Sequence, residues 1–90
     1  MSTESFRTKV LLRSEQTDDQ VSVIENTVPA GFPGPPLHHH GFDETFYVLE
    51  GELTHQLEDE IFTRKQGELA FAPRNVAHTF ANLSGAEARC

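Results

Sequence analysis

Over its 90 residues the chain never sustains apolar positions at the three-to-four-residue period of a helix. It runs instead in short β-type segments, each broken by a turn signal. That rhythm predicts an all-β domain, an antiparallel barrel or sandwich. Strands are expected at Phe6–Leu12, Gln20–Val28, Glu44–Glu50, Glu52–Glu58, Ile61–Lys65, Leu69–Ala72 and Ala77–Leu83, with Ala86–Cys90 opening one more. In the second segment Val21 and Val23 alternate with polar residues. A polar linker, SEQTDDQ, joins the first two strands and is expected to turn. The acidic Glu58-Asp59-Glu60 is expected to turn a hairpin. From Pro29 to Pro36 four prolines and two glycines form a stiff, irregular approach to the histidines beyond them. Its Pro33-x-x-Pro36 spacing is read as a rigid loop rather than a recognition motif.

No linker divides the chain, so residues 1–90 are read as one domain. A chain this short buries only about 60–70 % of its unfolded surface, so a metal ion or a second subunit would help it. Fourteen acidic residues against seven basic give a net charge of −7. Nucleic acid and anionic membrane surfaces are poor partners for such a chain. The longest apolar run, Phe46 to Leu49, is far short of a membrane span. The start, MSTESFRTK, has no apolar run behind its charges, and the one cysteine, Cys90, leaves no internal disulfide to form. A cytoplasmic location is the expectation.

The stretch PPLHHHGFDETFYVLEG carries the chemistry. Side chains alternate faces along an extended chain, so His38 and His40 point one way and His39 the other. Glu44 shares parity with Phe46 and Val48, and a carboxylate heading an inward row needs a partner. His78, in parity with Phe80, is the fourth inward candidate. Three imidazoles and a carboxylate suit one divalent transition metal ion, Fe, Mn, Ni, Co, Cu or Zn, and suit Ca or Mg poorly. Taken alone, an H-x-H pair is more often ordinary polar surface than a metal site. His55 alternates with Leu53 and Leu57 and is expected to face inward. It serves there either as a polar group of the cavity or as a packed ring bonded to a backbone carbonyl.

Spacing sharpens this. His38-x-His40, three residues, Glu44, six residues and Gly51 resemble the first motif of the cupin family. Gly67, Pro73, His78 and Asn82 resemble its second. Two positions depart: Phe32 stands where the leading glycine belongs, and Asn75 replaces the glycine of P-x-G. Asparagine tolerates positive φ, so the turn is expected to survive. The resemblance runs from about residue 32 to 82 and is similar in compactness to small single-domain bacterial cupins, with fifteen residues between the motifs.

The resemblance implies a small antiparallel β-barrel, or jelly roll, with a metal held by His38, His40, Glu44 and His78. It also implies a homodimer, and strands beyond Asn82. The short tail here makes the C-terminus a candidate point of truncation of the barrel, an open edge that exchange between subunits would repair. The pocket is expected to be apolar, lined by Phe46, Val48, His55, Phe71 and Phe80, with Leu53 and Leu57 beside them. Similarity to flavonol dioxygenase-like members implies a mononuclear non-haem dioxygenase acting on a small enediol or aromatic substrate, with Glu44 as catalytic base. A metal-dependent isomerase, lyase or cyclase, and a non-catalytic metal- or ligand-binding module, are the alternatives the same fold would host.

Overall fold

The computed structural model describes residues 6–90. Eight strands succeed one another: β1 (Arg7–Leu12), β2 (Val23–Val28), β3 (Glu44–Tyr47), β4 (Glu52–Leu57), β5 (Glu60–Lys65), β6 (Leu69–Ala72), β7 (His78–Ala81) and β8 (Ala88–Arg89). A 3-10 turn, Ser14–Thr17, occupies the polar linker. Every pairing is antiparallel, in three sheets ordered β1-β2-β8, β3-β6 and β5-β4-β7. The turns fall where the sequence places them: Glu58 adopts φ +51 at the β4–β5 hairpin, and Gly51 and Gly67 have φ of +79 and +84. Asn75 adopts φ +65, so asparagine does supply the conformation that glycine would.

Several strands are shorter than expected, β7 and β8 among them, and two are shorter for traceable reasons. β3 stops at Tyr47 because the chain changes partners. Val48 N–H still donates to Glu68 of the β6 side, but the next two amides, of Leu49 and Glu50, both donate to Arg89 O. β2 starts at Val23 rather than Gln20, and Val21 and Val23 are both exposed. The two-residue β8 pairs with Thr27 and Val28, and Cys90 exchanges backbone hydrogen bonds with Asn26, but from Val23 to Glu25 the β1–β2 arm runs on uncovered on that side. Among the described residues, no helix is long and apolar enough to cross a membrane, which says nothing of a β-barrel.

The core cluster joins β2, β4 and the C-terminal strand. Val28, Leu53 and Ala88 are fully buried with Cys90, and Phe6, Phe32 and Phe80 pack against them. Burying a side chain such as Leu53 contributes about 2 kcal/mol. Phe32, the residue in place of the motif glycine, stacks on Phe6 at 5.1 Å and lies 6.1 Å from Phe80. Its two glycine neighbours, Gly31 and Gly34, take the positive φ instead. Burial pushes the Cys90 thiol pKa up, which keeps it protonated and unreactive.

Asn82 is fully buried and wholly satisfied. Its amide donates to the carbonyls of Val28 and Ala86 at 3.1 and 2.8 Å, and its oxygen accepts from the Ser84 amide and hydroxyl at 3.0 and 2.6 Å. It therefore fastens the β7–β8 corner to β2.

Candidate metal centre

Pro35 and Pro36 hold the chain extended as it reaches the histidines. There His38 forms an isolated antiparallel bridge with His78. The His38 amide donates to His78 O at 3.1 Å, and the His78 amide to His38 O at 2.7 Å. Thr79 Oγ1 donates to Pro35 O at 2.6 Å, which fixes the approach to this bridge. Glu44 opens β3 opposite Ala72 of β6, and His78 opens β7 opposite Leu57 of β4. The β3-β6 and β5-β4-β7 sheets and the loop that leaves β2 thus contribute to one point. The donor atoms of His38, His40, Glu44 and His78 lie within 4.8 Å of one another. His39 faces solvent, as its parity requires.

The protons at this point are constrained. His78 Nδ1 lies 2.9 Å from Val76 O, and His38 Nδ1 lies 2.8 Å from Pro36 O. A carbonyl only accepts, so each Nδ1 carries hydrogen and each neutral ring turns a bare Nε2 lone pair into the cluster. Yet His78 Nε2 stands 2.9 Å from Glu44 Oε1, and His40 Nε2 stands 2.7 Å from the same oxygen. His40 Nδ1 has no partner among the described residues, so that ring can carry its hydrogen on Nε2 and donate to Glu44. For His78 a bare lone pair facing the carboxylate is repulsive unless a proton or a metal cation lies between. Backbone carbonyls that fix the tautomer are also what metal-ligating histidines use. The residues present therefore fit a transition metal ion, and the donor set can hold one.

The rest of the site's framing has no counterpart in the sequence reading. Asp43 receives the Arg74 amide at 2.8 Å and its guanidinium at 3.3 and 3.2 Å. The Arg74 hydrogen bonds hold the Asp43 carboxyl below the usual carboxylate range. One residue on, the Asn75 amide donates to His40 O at 2.8 Å. The turn before His78 is thereby tied to the loop carrying His40 and Glu44. Phe42 stacks on the His40 ring at 4.0 Å and 11°. Nothing in the spacing of Phe42 or Arg74 signals these contacts, which need the fold to bring residues 43 and 74 together.

The expected pocket lining is only partly realised. Phe46 and Phe80 face inward, with ring centroids 5.6 Å apart, and His55 lies 5.4 Å from Phe46. Phe71 does not: it pairs with Thr45 on the outer parity of β6 and is exposed, while Ala70 and Ala72 hold the inner positions. Val48 and Leu53 face inward but are fully buried, so they form wall and core rather than ligand surface. A cavity of about 190 Å³ is lined by His55 and Phe80 together with Pro33, Gln56, Thr79 and Leu83. Gln56 and Thr79 belong to the opposite parity from His55 and His78, so this cavity opens on the outer face of the β5-β4-β7 sheet.

The family model of the cupin domain matches residues 25–90. The chain belongs to the cupin family. This cupin resembles the TT1209 protein of Thermus thermophilus in structure, with a TM-score of 0.82 and 26 % identity, covering 98 % of this chain and 80 % of that one. It is 32 % identical over 76 residues to the HTH-type transcriptional activator RhaR of Pectobacterium carotovorum subsp. carotovorum strain PC1, covering 80 % of this chain and 27 % of that protein. It is 26 % identical over 72 residues to the quercetin 2,3-dioxygenase of Bacillus subtilis strain 168, covering 80 % of this chain and 21 % of that enzyme. The cupin chain thus spans about a quarter of the length of the curated relatives it matches.

Proposed function

We propose that this cupin is a mononuclear non-haem metal-dependent enzyme of dioxygenase type, acting on a small enediol or aromatic substrate. The observation that carries the reading is the convergence of two imidazole Nε2 atoms on one oxygen of Glu44. His38, His40, Glu44 and His78 would hold one divalent ion, Fe, Mn, Ni, Co, Cu or Zn. When bound, that ion supplies Lewis acidity toward an enolate or phenolate oxygen, and redox chemistry if it is Fe, Mn, Ni, Co or Cu.

The chain's own residues do the rest. Glu44 Oε1 is engaged by the two rings, so Oε2 is the atom left to take a substrate hydroxyl proton. The Glu44 side chain is 31 % exposed and His40 24 %, which leaves the cluster open to a ligand on that side, while His78 at 3 % closes the other. Phe46 lies 6.4 Å from His78 and supplies an apolar surface against which a flat ring can lie. The similarity to a quercetin dioxygenase supports this substrate class.

Oxygen uptake tests the proposal. Protein reconstituted with Fe, Mn, Ni, Co or Cu is expected to consume dioxygen with an enediol or flavonol, and Glu44→Gln to abolish it. No uptake with any of the five metals across the substrate panel would sink it. A second reading, a non-catalytic ligand-binding module of a larger protein, is favoured by the similarity to a transcriptional activator of which the chain matches about a quarter. It predicts ligand binding with no turnover.

A cytoplasmic homodimer completes the proposal. Among the described residues β1 has one unpaired edge, and its arm exposes Val10, Leu11, Val23 and Ile24 by 42–57 %. An apolar, open-edged ribbon of this kind suits pairing with a second copy. Sedimentation at twice the monomer mass checks it.

A further inference from the structure

His55 is a polar residue without an evident structural task. It is 3 % exposed, and its Nε2 is buried with no hydrogen-bond partner among the described residues. It is flanked by two rings, Phe46 at 5.4 Å and Phe62 at 5.7 Å and 23°, with the Arg64 guanidinium lying over Phe62 at 4.4 Å. An apolar residue would fill this place at less cost, because a buried polar atom without a partner is destabilising.

The wall around it is inward yet not sealed. Phe46 shares parity with Glu44, Phe80 shares parity with His78, and Phe62 sits opposite His55 in the β4–β5 ladder. None of these three rings is fully buried. In the β4–β7 ladder, His55 pairs with Phe80, one inward step from the Leu57–His78 pair that ends at the cluster. The inner wall thus carries part-buried aromatic rings at the parity of the metal ligands, and His55 is the hydrogen-bonding group set among those rings.

We propose that His55 is a ligand-contact residue that selects for a flat ring bearing a hydroxyl or carbonyl, whose substituent completes the unpartnered Nε2 while the ring lies against Phe46 and Phe80. This rests on the reading of the cluster as the binding site for a small aromatic or enediol ligand. Burial and the Arg64 charge keep the imidazole neutral at physiological pH, so it offers one donor and one acceptor rather than a charge. A site built around a waiting polar atom rejects analogues that lack the matching group more strongly than an apolar pocket does.

The test uses zinc-loaded protein, which is redox-silent, and catechol as the probe. With 15N-labelled histidine, the His55 Nε2 resonance is expected to move on catechol addition. His55→Phe is expected to take up equal zinc, to melt no lower than wild type, and to bind catechol about tenfold more weakly. His55→Gln, which restores a hydrogen-bonding group, should recover most of that loss. Should Phe fail to fold there, His55→Leu replaces it, and the wild-type resonance decides by itself. Equal catechol affinity in the apolar variants, or a His55 Nε2 signal unmoved at saturation, would overturn the inference and leave the site reading intact. No catechol binding by zinc-loaded wild type would overturn both.

Discussion

His38 and His78 lie forty positions apart in sequence, yet each donates its backbone amide to the other's carbonyl, at 3.1 and 2.7 Å. Two of the four prospective metal ligands are therefore held by main chain, independently of what their side chains do.

A first prediction comes from this pairing. His38→Ala removes an imidazole but neither backbone bond, so the apo variant should melt close to wild type. Its transition-metal affinity should fall about 100-fold or more, since even outer partners of metal ligands typically command about 10- to 100-fold. Competition with a chromogenic chelator and elemental analysis give the two numbers. Undiminished metal content in Ala variants at His38, His40, Glu44 and His78 would remove the metal site altogether.

Gly34 admits no side chain. At φ +84, a Cβ built there runs into the backbone carbonyl oxygen of Phe80. Gly34→Ala is expected to cost about 3 kcal/mol or more, combining left-handed strain with displacement of β7. Urea denaturation of the apo protein measures it, and a loss under about 1 kcal/mol would show that the loop yields freely.

Asn82 predicts a separate kind of loss. Leucine in its place would take the donor from the Val28 carbonyl and the acceptor from the Ser84 amide, while the Ala86 carbonyl keeps the Ser84 hydroxyl, for an expected cost of about 3 kcal/mol. Metal affinity in whatever remains folded should be unchanged, because Asn82 touches none of the four ligands. A variant that kept its stability but lost metal would reverse that assignment.

His55 makes stability depend on pH. Desolvation by burial, followed by the Arg64 charge, lowers its pKa from 6.5 to about 4. Between those values the unfolded chain binds the proton that the folded one refuses, so the stabilising contribution is whole above pH 6.5 and drains away as pH falls toward 4. The swing is on the order of 3 kcal/mol. The difference in melting temperature between wild type and His55→Phe, compared from about pH 7 to about pH 4 in apo protein, isolates this group. A difference that does not change with pH would mean the ring already has a partner.

Much of this architecture is legible in the residues. Parity places His38 and His40 together and His39 apart, and the four donors do converge. The succession of strands is legible because most segments are bounded by a Gly, Pro or Asn turn, and the other two turns by polar, acidic runs, SEQTDDQ and Glu58-Asp59-Glu60. Depth is what the pattern does not carry. Aromatic bulk suggests an interior place for Phe71, but its parity with Leu69 puts it outside, and two alanines take the inner face. For Val48 and Leu53 parity gives the right side, but it says nothing of how much of the side chain a ligand can reach. The Asp43–Arg74 clamp is invisible in sequence because neither residue has a local signature; only the approach of two loops makes the pair.

The four donors cannot assemble early. His38 and His40 sit close in any conformation, but His78 joins them only once the β4–β7 ladder and the crossing at Pro35 are in place. Cation capture should therefore lag behind chain collapse and report its final stage, so that a nascent polypeptide emerging from the ribosome would hold metal only weakly until β7 had been made.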